Sequence, residues 1–349
     1  MQLRNLEDKQ RLKKRLSEET FTRATLSFYR YVQIPDVDLF RDQLYLKFSN
    51  LSILGRVYLA HEGINAQISV PQHYWDNFLL LLNNEPLLNN VPLKIAVEDN
   101  GKSFYKLIVR TKNKIVADGL RDHDYDVTNV GTHLDAEAFN AAMSQQDTIV
   151  VDMRNHYESE VGYFENALKP DADTFRDALP QALEMTRGNE DKKILLYCTG
   201  GIRCEKASAY FKHHGFKDVN QLYGGIIEYA RDVKSKGLEN KFKGKNFVFD
   251  ERMGERISEE VVSVCHQCGS TSDNHVNCAN DDCHLLFIQC ESCKEVFLGC
   301  CSEACKEISM LPDAEQKKLR QGKKKEHAHA VYKSRLRPNL GKVRAEKNN

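Results

Sequence analysis

The residues of this chain best suited to chemistry are its eleven cysteines. Nine of them fall between Cys265 and Cys305, and the other two, Cys198 and Cys204, bracket a single loop. An apolar run at 194–197 leads directly into Cys198, and a helical pattern at 206–213 follows the loop. A strand therefore delivers Cys198 to a glycine-containing turn that opens a helix.

This arrangement predicts an activated thiol. The N–H groups of the loop and the N-terminus of the following helix would point at the sulfur, which lowers a thiol pKa from about 8.5 toward neutrality. Arg203 adds a fixed positive charge. A buried, inert cysteine in an ordinary strand-to-helix turn is the alternative. We predict that Cys198 is catalytic and that a substrate group binds to the rest of the loop: Thr199, Gly200, Gly201, Ile202 and Arg203.

The loop is also short. Four residues separate Cys198 from Arg203, one fewer than in the phosphate-binding loop of a cysteine phosphatase, so the loop favours a single sulfur atom or a similarly small group. Cys204 could resolve an oxidised Cys198 as a disulfide. We favour the alternative that Cys204 packs as a small apolar residue.

The other nine cysteines have the spacing C-x2-C-x9-C-x4-C-x6-C-x2-C-x6-C-C-x3-C, beginning at Cys265. Each C-x2-C pair can turn both sulfurs to one metal ion. Taken alternately, the cysteines predict two sites: Cys265, Cys268, Cys290 and Cys293 form one, and Cys278, Cys283, Cys305 and either Cys300 or, as we favour, Cys301 form the other. His266 or His284 could replace a sulfur. Zinc is the expected ion, an iron–sulfur cluster is the competitor, and a metal-free thiol cluster is the remaining alternative.

Another candidate site is the turn at 61–65, His-Glu-Gly-Ile-Asn. Gly63 permits a tight hairpin turn. His61 and Asn65 could contact RNA bases, and Arg56 could contact a phosphate, unless the turn is only structural. We expect a structural ion-pair network rather than catalysis from three further charged residues: Asp152, Arg154 and Glu158.

The apolar pattern predicts an α+β domain followed by an α/β domain. Strand and helix patterns at 21–99 follow the order βαββαβ, typical of ferredoxin-like folds, and a further strand is expected at 103–110. From residue 131, short apolar strands alternate with helices, which indicates a parallel sheet with a ligand site at the carboxyl ends of its strands. The predicted regions are a charged helical lead at 1–20, a ferredoxin-like (acylphosphatase-like) domain at 21–115, the parallel-sheet domain at 131–240, a connector and cysteine-rich module at 241–311, and a basic, disordered tail at 312–349.

Composition narrows the class of protein. Hydrophobic residues make up 41% of the 349 residues and charged residues 29%, which excludes a disordered or fibrous chain. No apolar run approaches the ~18 residues of a membrane span, and the charged N-terminus lacks a signal core. We therefore expect a cytoplasmic protein without a membrane partner, where reduced cysteines serve metal binding or catalysis.

Charge is distributed unevenly along the chain. Lys plus Arg and Asp plus Glu are 50 each, so the formal net charge is zero. Residues 312–349 nevertheless hold twelve Lys or Arg and four Asp or Glu. A basic tail on a mildly acidic body favours a nucleic-acid partner, with a merely solvated tail as the alternative.

The cysteine loop resembles that of a rhodanese domain. The blocks that carry the resemblance are Asp-Met-Arg at 152–154, Gly-Tyr-Phe-Glu-Asn-Ala at 162–167, the loop at 198–204 and the glycine pair at 224–225. The sequence departs from the rhodanese pattern at Tyr163, where His is usual, and at Asn166, where Gly is usual. Both are structural positions, so Cys198 still matches the active cysteine.

Further blocks extend the resemblance over nearly the whole chain. They are SFY at 27–29, GRVYLAHEGINAQ at 55–67, DMRNHYE at 152–158 and NFVFDER at 246–252. In this order they resemble the bacterial rhodanese-like tRNA uridine hydroxylases. The resemblance implies 5-hydroxylation of the wobble uridine at position 34, with Cys198 as the active cysteine, molecular oxygen as co-substrate, and tRNA, not DNA, as the partner.

The sequence does not identify a redox cofactor or an oligomeric state. It contains no 2-His-1-carboxylate spacing and no dinucleotide fingerprint of the G-x-G-x-x-G type. One alternative function is a sulfurtransferase that carries a persulfide on Cys198. Another is a non-enzymatic, zinc-dependent RNA-binding scaffold, against which the intact loop at 198–203 argues.

Overall fold

The computed structural model describes residues 3, 5, 7–121 and 124–321. The chain forms two compact units. The first consists of Met1–Thr148, Asp191–Glu239 and Phe249–Arg252, and the second of Ile149–Glu190, Asn240–Val248 and Met253–Asn349. None of the helices in the described part combines the length and apolar character that a membrane crossing requires.

The first unit begins with a mixed five-stranded sheet. Its strands lie in the order β4-β1-β3-β2-β5, in which β2 and β5 are parallel and the other pairs antiparallel. The first four strands have the arrangement of a ferredoxin-like fold, so the predicted βαββαβ order is confirmed. The elements are α1 (Lys9–Glu18), β1 (Arg23–Tyr31), α2 (Val37–Asn50), β2 (Leu54–Ala60), β3 (Gly63–Pro71), α3 (Trp75–Asn84), β4 (Lys94–Ile95) and β5 (Leu107–Thr111).

Strand β1 separates a core face from a polar face. Successive side chains of a strand point to opposite sides of its sheet. Leu26 and Phe28 are buried in the apolar core that α2 and α3 complete. Ser27, Tyr29 and Tyr31 consequently lie on the opposite face, where they meet the cysteine loop described below.

The middle of the chain supplies the parallel strands. Strand β10 pairs in parallel with β6 on one side and with β9 on the other, so the predicted parallel sheet is confirmed. Cys198 and Tyr223 follow the carboxyl ends of the neighbouring strands β9 and β10. The elements are β6 (Thr132–Leu134), α4 (Ala136–Met143), β7 (Thr148–Asp152), α5 (His156–Ser159), β8 (Gly162–Phe164), α6 (Phe175–Thr186), β9 (Lys193–Tyr197), α7 (Ile202–His213), β10 (Asp218–Leu222) and α8 (Gly225–Lys236).

The second unit contains the cysteine-rich module. Strands β12, β11 and β8 form an antiparallel sheet, and β13 and β14 form a hairpin. The remaining elements are β11 (Phe242–Asn246), β12 (Glu255–Arg256), β13 (His275–Asn277), β14 (Leu286–Ile288), α9 (Glu291–Phe297), α10 (Glu303–Ser309) and α11 (Asp313–Arg320).

Two of the three charged residues at the end of β7 and just beyond it form a buried ion pair. The Arg154 guanidinium donates to the Asp152 carboxylate at 2.6 Å and to the Gly162 carbonyl at 2.6 Å, and both charged side chains are fully buried. The Glu158 carboxylate accepts the Asn155 N–H at 3.0 Å and completes a capping box at the start of α5. These partners hold the segment after β7 in place, as expected of structural residues.

Helix α11 lies inside the segment where the sequence predicts disorder, so that prediction is wrong for residues 313–320. The prediction depended on missing apolar periodicity, whereas charge placement stabilises this helix. Asp313 and Glu315 lie in its first turn and Lys317, Lys318 and Arg320 in its last, which complements the helix dipole. The rest of the basic tail, 322–349, lies outside the described residues.

Candidate active site and metal centres

Glycines shape the loop that carries Cys198. Gly201 caps α7 in the left-handed conformation, with a φ of 94°, and its N–H donates to the Cys198 sulfur at 3.2 Å. At Gly225, a Cβ atom would lie only 2.5 Å from the Cys198 carbonyl oxygen. The start of α8 therefore approaches the loop backbone, and the Ile226 N–H donates to that same carbonyl at 3.0 Å. The glycine pair at 224–225 thus lets the start of α8 pack against the loop backbone and hold it in place.

The environment of Cys198 favours the thiolate. Burial acts to raise the pKa of Cys198. The Cys204 thiol, the positive charge of Arg203 and the backbone N–H groups of both residues outweigh burial and lower this pKa to about 6. The Arg203 guanidinium is held by the Thr199 hydroxyl, to which it donates at 3.4 Å. The Cys198 side chain accordingly carries a negative charge at neutral pH.

Cys204 has a second role beside packing. It is buried, and burial together with its hydrogen bond to Cys198 raises its own pKa well above the ordinary value. Cys204 therefore keeps its proton and donates it toward the Cys198 thiolate. The sequence suggested packing or disulfide formation for this residue, but not a hydrogen bond that stabilises the neighbouring charge.

Side chains from β1 cover the loop. The Tyr29 hydroxyl donates to the Glu205 carboxylate at 2.8 Å, and the Tyr31 hydroxyl donates to the Ile202 carbonyl at 3.3 Å. Glu205 also accepts from Gln221 at 2.9 Å and binds the ring of His133 at 3.0 Å. The bond to Glu205 raises the pKa of His133. The first turn of α7 is thus tied to β1, β6 and β10 at once.

A buried cluster of charges joins α7 to the turn at 61–65. The Lys206 ammonium donates to the Glu62 carboxylate at 2.9 Å, to the Asp118 carboxylate at 3.0 Å and to the Val116 carbonyl at 3.1 Å. Burial alone would raise the pKa of Asp118, but hydrogen bonds from Lys114 and Lys206 lower it. Glu62 is therefore the residue of the turn that connects it to the cysteine helix.

The residues proposed for RNA contact have protein partners. The His61 ring bonds to the Ile34 carbonyl at 3.0 Å, and the Asn65 amide donates to the Ile115 carbonyl at 3.5 Å. The Arg56 guanidinium donates to the Phe249 carbonyl at 2.8 Å. These bonds favour the structural interpretation of the turn.

Sequence reasoning missed Lys94, Tyr29 and Glu62. A usable signal existed for Lys94, since it interrupts the apolar run at 93–97. Its side chain passes over the cysteine loop, and its Cδ atom would lie 3.7 Å from a Cβ atom built on Gly200.

The structure brings eight cysteines together in two groups. In each group the four sulfur atoms lie within 4.8 Å of one another. The Cys268 and Cys290 sulfurs are 3.6 Å apart, and the Cys301 sulfur is 3.6 Å from that of Cys283 and 3.8 Å from that of Cys305. Four thiolates at about 2.3 Å from one zinc ion are about 3.8 Å apart, so the donor set fits a tetrahedral metal. The groups are Cys265, Cys268, Cys290 and Cys293, and Cys278, Cys283, Cys301 and Cys305.

The other candidate ligands lie outside these groups. The buried Cys300 thiol donates to the Ser309 hydroxyl at 3.4 Å. The His266 ring bonds to Glu160 at 2.8 Å on one nitrogen and to the Ile288 N–H on the other. His284 is 3.7 Å from Asp281 at the exposed end of the hairpin. The second group of sulfur atoms thus contains Cys301 and not Cys300, and neither histidine belongs to a group.

We expect the Cys198 thiol to titrate with a midpoint near pH 6. Since its pKa is lowered to about 6, the thiolate predominates above that pH and is lost below it. Thiolate absorbance at 240 nm, taken as the difference between the native chain and Cys198→Ser, measures this midpoint without contributions from the nine cysteines at 265–305. Cys204→Ala should move the midpoint upward, because it removes the hydrogen bond from the neighbouring thiol. A midpoint above pH 8 in the native chain would contradict this account of the loop.

Cys300 and Cys301 provide a matched pair for the metal sites. The purified protein should contain two zinc ions per chain. Cys301→Ala should lose one of them because it removes a ligand, whereas Cys300→Ala should retain both. Elemental analysis of the two variants decides the assignment. Loss of metal from Cys300→Ala alone, or native protein with neither zinc nor iron, would overturn it, and iron with visible absorbance would indicate a cluster instead.

Family models match the chain in three successive segments. The UPF0176 acylphosphatase-like domain matches residues 23–115, the rhodanese-like domain residues 135–232, and the rhodanase C-terminal segment residues 243–306. These segments contain the five-stranded sheet, the Cys198 loop and the two cysteine groups, respectively.

Relatives extend the similarity over nearly the whole chain. The tRNA uridine(34) hydroxylase of Leptospira interrogans is 57% identical over 341 residues, which cover 98% of this chain and 93% of that protein. Proteins of the same name from Escherichia fergusonii and from Enterobacter sp. (strain 638) are 55% and 54% identical, over 94% and 97% of this chain and 94% and 98% of their own lengths. The resemblance found in the sequence is confirmed, and the chain belongs to the tRNA uridine(34) hydroxylase family.

Proposed function

We propose that this protein is an oxidoreductase that hydroxylates uridine 34 of tRNA at carbon 5, with molecular oxygen as co-substrate and Cys198 as the reactive centre. The observation that carries the proposal is the thiolate environment of Cys198, found in a chain whose relatives are named tRNA uridine(34) hydroxylase. The site belongs to a cytoplasmic enzyme, in keeping with its reduced cysteines and its RNA substrate.

Each part of the loop has a defined task in this proposal. The N–H of Gly201, the charge of Arg203 and the thiol of Cys204 hold negative charge at position 198. A thiolate is a far better nucleophile than a thiol, so the loop keeps Cys198 ready to react at neutral pH. The same donors can stabilise charge on a group that becomes bound to the sulfur. Thr199 positions Arg203 and thereby supports the substrate-binding role of the loop.

An aromatic residue for the nucleobase lies beside the cysteine. Tyr223 is 47% exposed at the carboxyl end of β10, one strand away from Cys198. Exposed aromatic rings stack on unpaired bases in many RNA-binding proteins. The wobble base lies in a single-stranded loop of tRNA, so it is accessible to such stacking.

The cysteine groups have a structural task. Zinc held by the two groups of four thiolates would fold a module whose strands are only three residues long. Structural zinc supplies folding energy outright in small modules of this kind. Zinc bound to both groups would have four sulfur ligands at each site, which is the closed coordination of structural zinc.

Removal of the thiol should abolish the modification. In a strain lacking the native gene, Cys198→Ala and Cys198→Ser should leave tRNA without 5-hydroxyuridine derivatives, because a hydroxyl is a much poorer nucleophile than a thiolate at neutral pH. Cys300→Ala, which changes a buried cysteine outside both metal groups, should restore them. Nucleoside mass spectrometry of the tRNA measures the outcome.

The same measurement separates the competing functions. Thiolated nucleosides missing from the deletion strain, with 5-hydroxyuridine derivatives intact, would identify a sulfurtransferase. An unchanged nucleoside profile would identify a non-enzymatic RNA-binding protein. Modification retained by Cys198→Ala would refute the role of the cysteine.

The basic tail should contribute salt-dependent affinity. Residues 322–349 contain nine Lys or Arg and two Asp or Glu, and each phosphate that such a segment neutralises releases counterions. Truncation after Gln321 should weaken binding to substrate and non-substrate tRNA alike. It should also flatten the log–log salt slope by roughly 0.7–0.9 for each phosphate that the tail neutralises in the native complex.

The control for this truncation is a variant whose tail keeps its length but loses its basic residues. Replacement of its nine basic residues by Gln should reproduce the effect of truncation, because phosphate contacts depend on charge and carry no base information. Binding titrations across a salt series test both variants. Unchanged affinity and slope would show that the tail is only solvated, and loss of discrimination without loss of affinity would place sequence readout in the tail.

A further inference from the structure

Lys94 is a largely buried lysine that lies against the cysteine loop. Only 6% of the residue is exposed. It pairs with Ser27 across β4 and β1, and both side chains lie within 4 Å of the Cβ position of Gly200. The Lys94 ammonium lies 4.3 Å from the centre of the Tyr29 ring. The side chain thus crosses the loop between Cys198 and Arg203, held against an aromatic face.

The ammonium of Lys94 differs from that of Lys206 in its partners. Both lysines are almost fully buried, but Lys206 donates to two carboxylates and a carbonyl. In the described parts of the chain, Lys94 has only the Tyr29 ring and makes no hydrogen bond or ion pair. The Lys94 side chain is largely buried, and an ammonium with few protein partners gains from an acceptor that a ligand supplies. Its three donors are therefore suited to an acceptor that comes from outside the protein.

The charge state of Lys94 is consistent with such a role. Burial lowers the pKa of Lys94, while the negative charges of Cys198, Glu228 and Glu205 raise it, and the balance is about 8. The side chain is consequently still protonated at neutral pH. Lys94 is thus a cation that interacts with the thiolate through space, without a hydrogen bond to it.

We propose that Lys94 is a substrate-binding residue whose ammonium donates hydrogen bonds to an oxygen of the target uridine nucleotide. The inference deepens the proposed function and rests on it. The acceptor is either a carbonyl oxygen of the uracil or an oxygen of the adjoining phosphate, both of which accept hydrogen bonds from an ammonium group. Tyr29 holds the cation in place through its ring, a contact worth more in a desolvated site than at the surface. The N-terminal domain therefore supplies part of the substrate site.

Lys94→Met tests the proposal against Lys106→Met. Lys106 belongs to the same domain and its ammonium also lies near an aromatic ring, 5.7 Å from the centre of Tyr105, but it has no contact with the loop. Lys94→Met should lower kcat/KM for tRNA between about 10- and 150-fold, the loss expected when a charged hydrogen bond to substrate is removed. Lys106→Met should remain within about twofold of the native protein. Lys94→Arg should recover part of the loss, because it restores the charge.

Two further measurements exclude indirect effects. Lys94→Met should not lower the melting temperature, because it removes a buried cation with no protein acceptor. A lower melting temperature would assign Lys94 a structural role and overturn the proposal. The Cys198 thiolate absorbance gives the pKa of the thiol in the same variant. If raising the pH above that pKa restored full activity, Lys94 would act only on the thiol, and the proposal would be wrong.

Binding separates this inference from the proposed function. In the Cys198→Ala background, Lys94→Met should weaken binding of an anticodon stem-loop RNA, whether or not the enzyme hydroxylates it. The same RNA with an abasic site at position 34 distinguishes the acceptors: the effect of Lys94→Met disappears if the ammonium contacts the uracil and persists if it contacts the phosphate. If Cys198→Ala and the double variant with Lys94→Met bound each RNA with the same affinity, the inference would be refuted and the hydroxylase proposal would remain intact. If the protein with native Cys198 formed no 5-hydroxyuridine while Lys94→Met still weakened RNA binding, the hydroxylase proposal would be refuted and the inference would stand.

Discussion

The position of the cysteine loop depends on one buried cation, the ammonium of Lys206. It sits in the second turn of α7, the helix that the loop opens, and it is almost completely buried between the carboxylates of Glu62 and Asp118. Removal of one partner from a buried ion pair leaves an uncompensated charge and typically costs about 3–5 kcal/mol. Because this cost opposes any separation of α7 from the turn at 61–65, the start of the helix and the residues of β1 stay in a fixed relation. The hydrogen bonds of Tyr29 and Tyr31 to α7 follow from that relation.

Successive side chains of β1 point to opposite faces of its sheet, so this one strand contributes both to the core and to the surroundings of the cysteine loop. Leu26 and Phe28 complete the core of the N-terminal domain, and the residues between and after them face the cysteine loop. A one-residue shift of register would exchange these faces, so the core that fixes the register of β1 also places Tyr29 over the loop. This explains how a domain of a widely used fold comes to contact the cysteine loop. Its sheet carries one apolar face for stability and one polar face for the site.

Local patterns predicted the elements and the chemistry of single segments. The order βαββαβ and the strand that leads into Cys198 depend on residues close together in sequence, and the structure has both. The cysteines that the spacing pairs alternately also lie in two groups of four sulfur atoms. Contacts between distant segments were not predictable in this way. Nothing local to Glu62 indicates that its partner is 144 positions away, and the sequence therefore leaves both an RNA contact and a structural turn open at 61–65. The position of the Lys94 side chain against the cysteine loop likewise depends on the packing of β4 beside that loop. Only the tertiary structure determines this packing.

The two thiols of the loop show how position decides reactivity. Cys198 and Cys204 are the same chemical group, both are buried, and each lies within hydrogen-bonding range of the other. Cys198 ends a strand and faces backbone N–H groups at the start of α7, whereas Cys204 lies inside the helix, where its own N–H is already bonded to the Gly201 carbonyl at 2.9 Å. The positive end of the helix therefore favours negative charge on Cys198. Cys198 loses its proton, whereas Cys204 keeps its own and donates it in the hydrogen bond to Cys198. Substitution of either thiol changes the other, so the pair titrates as a unit whose negative charge belongs to the residue at the end of the strand.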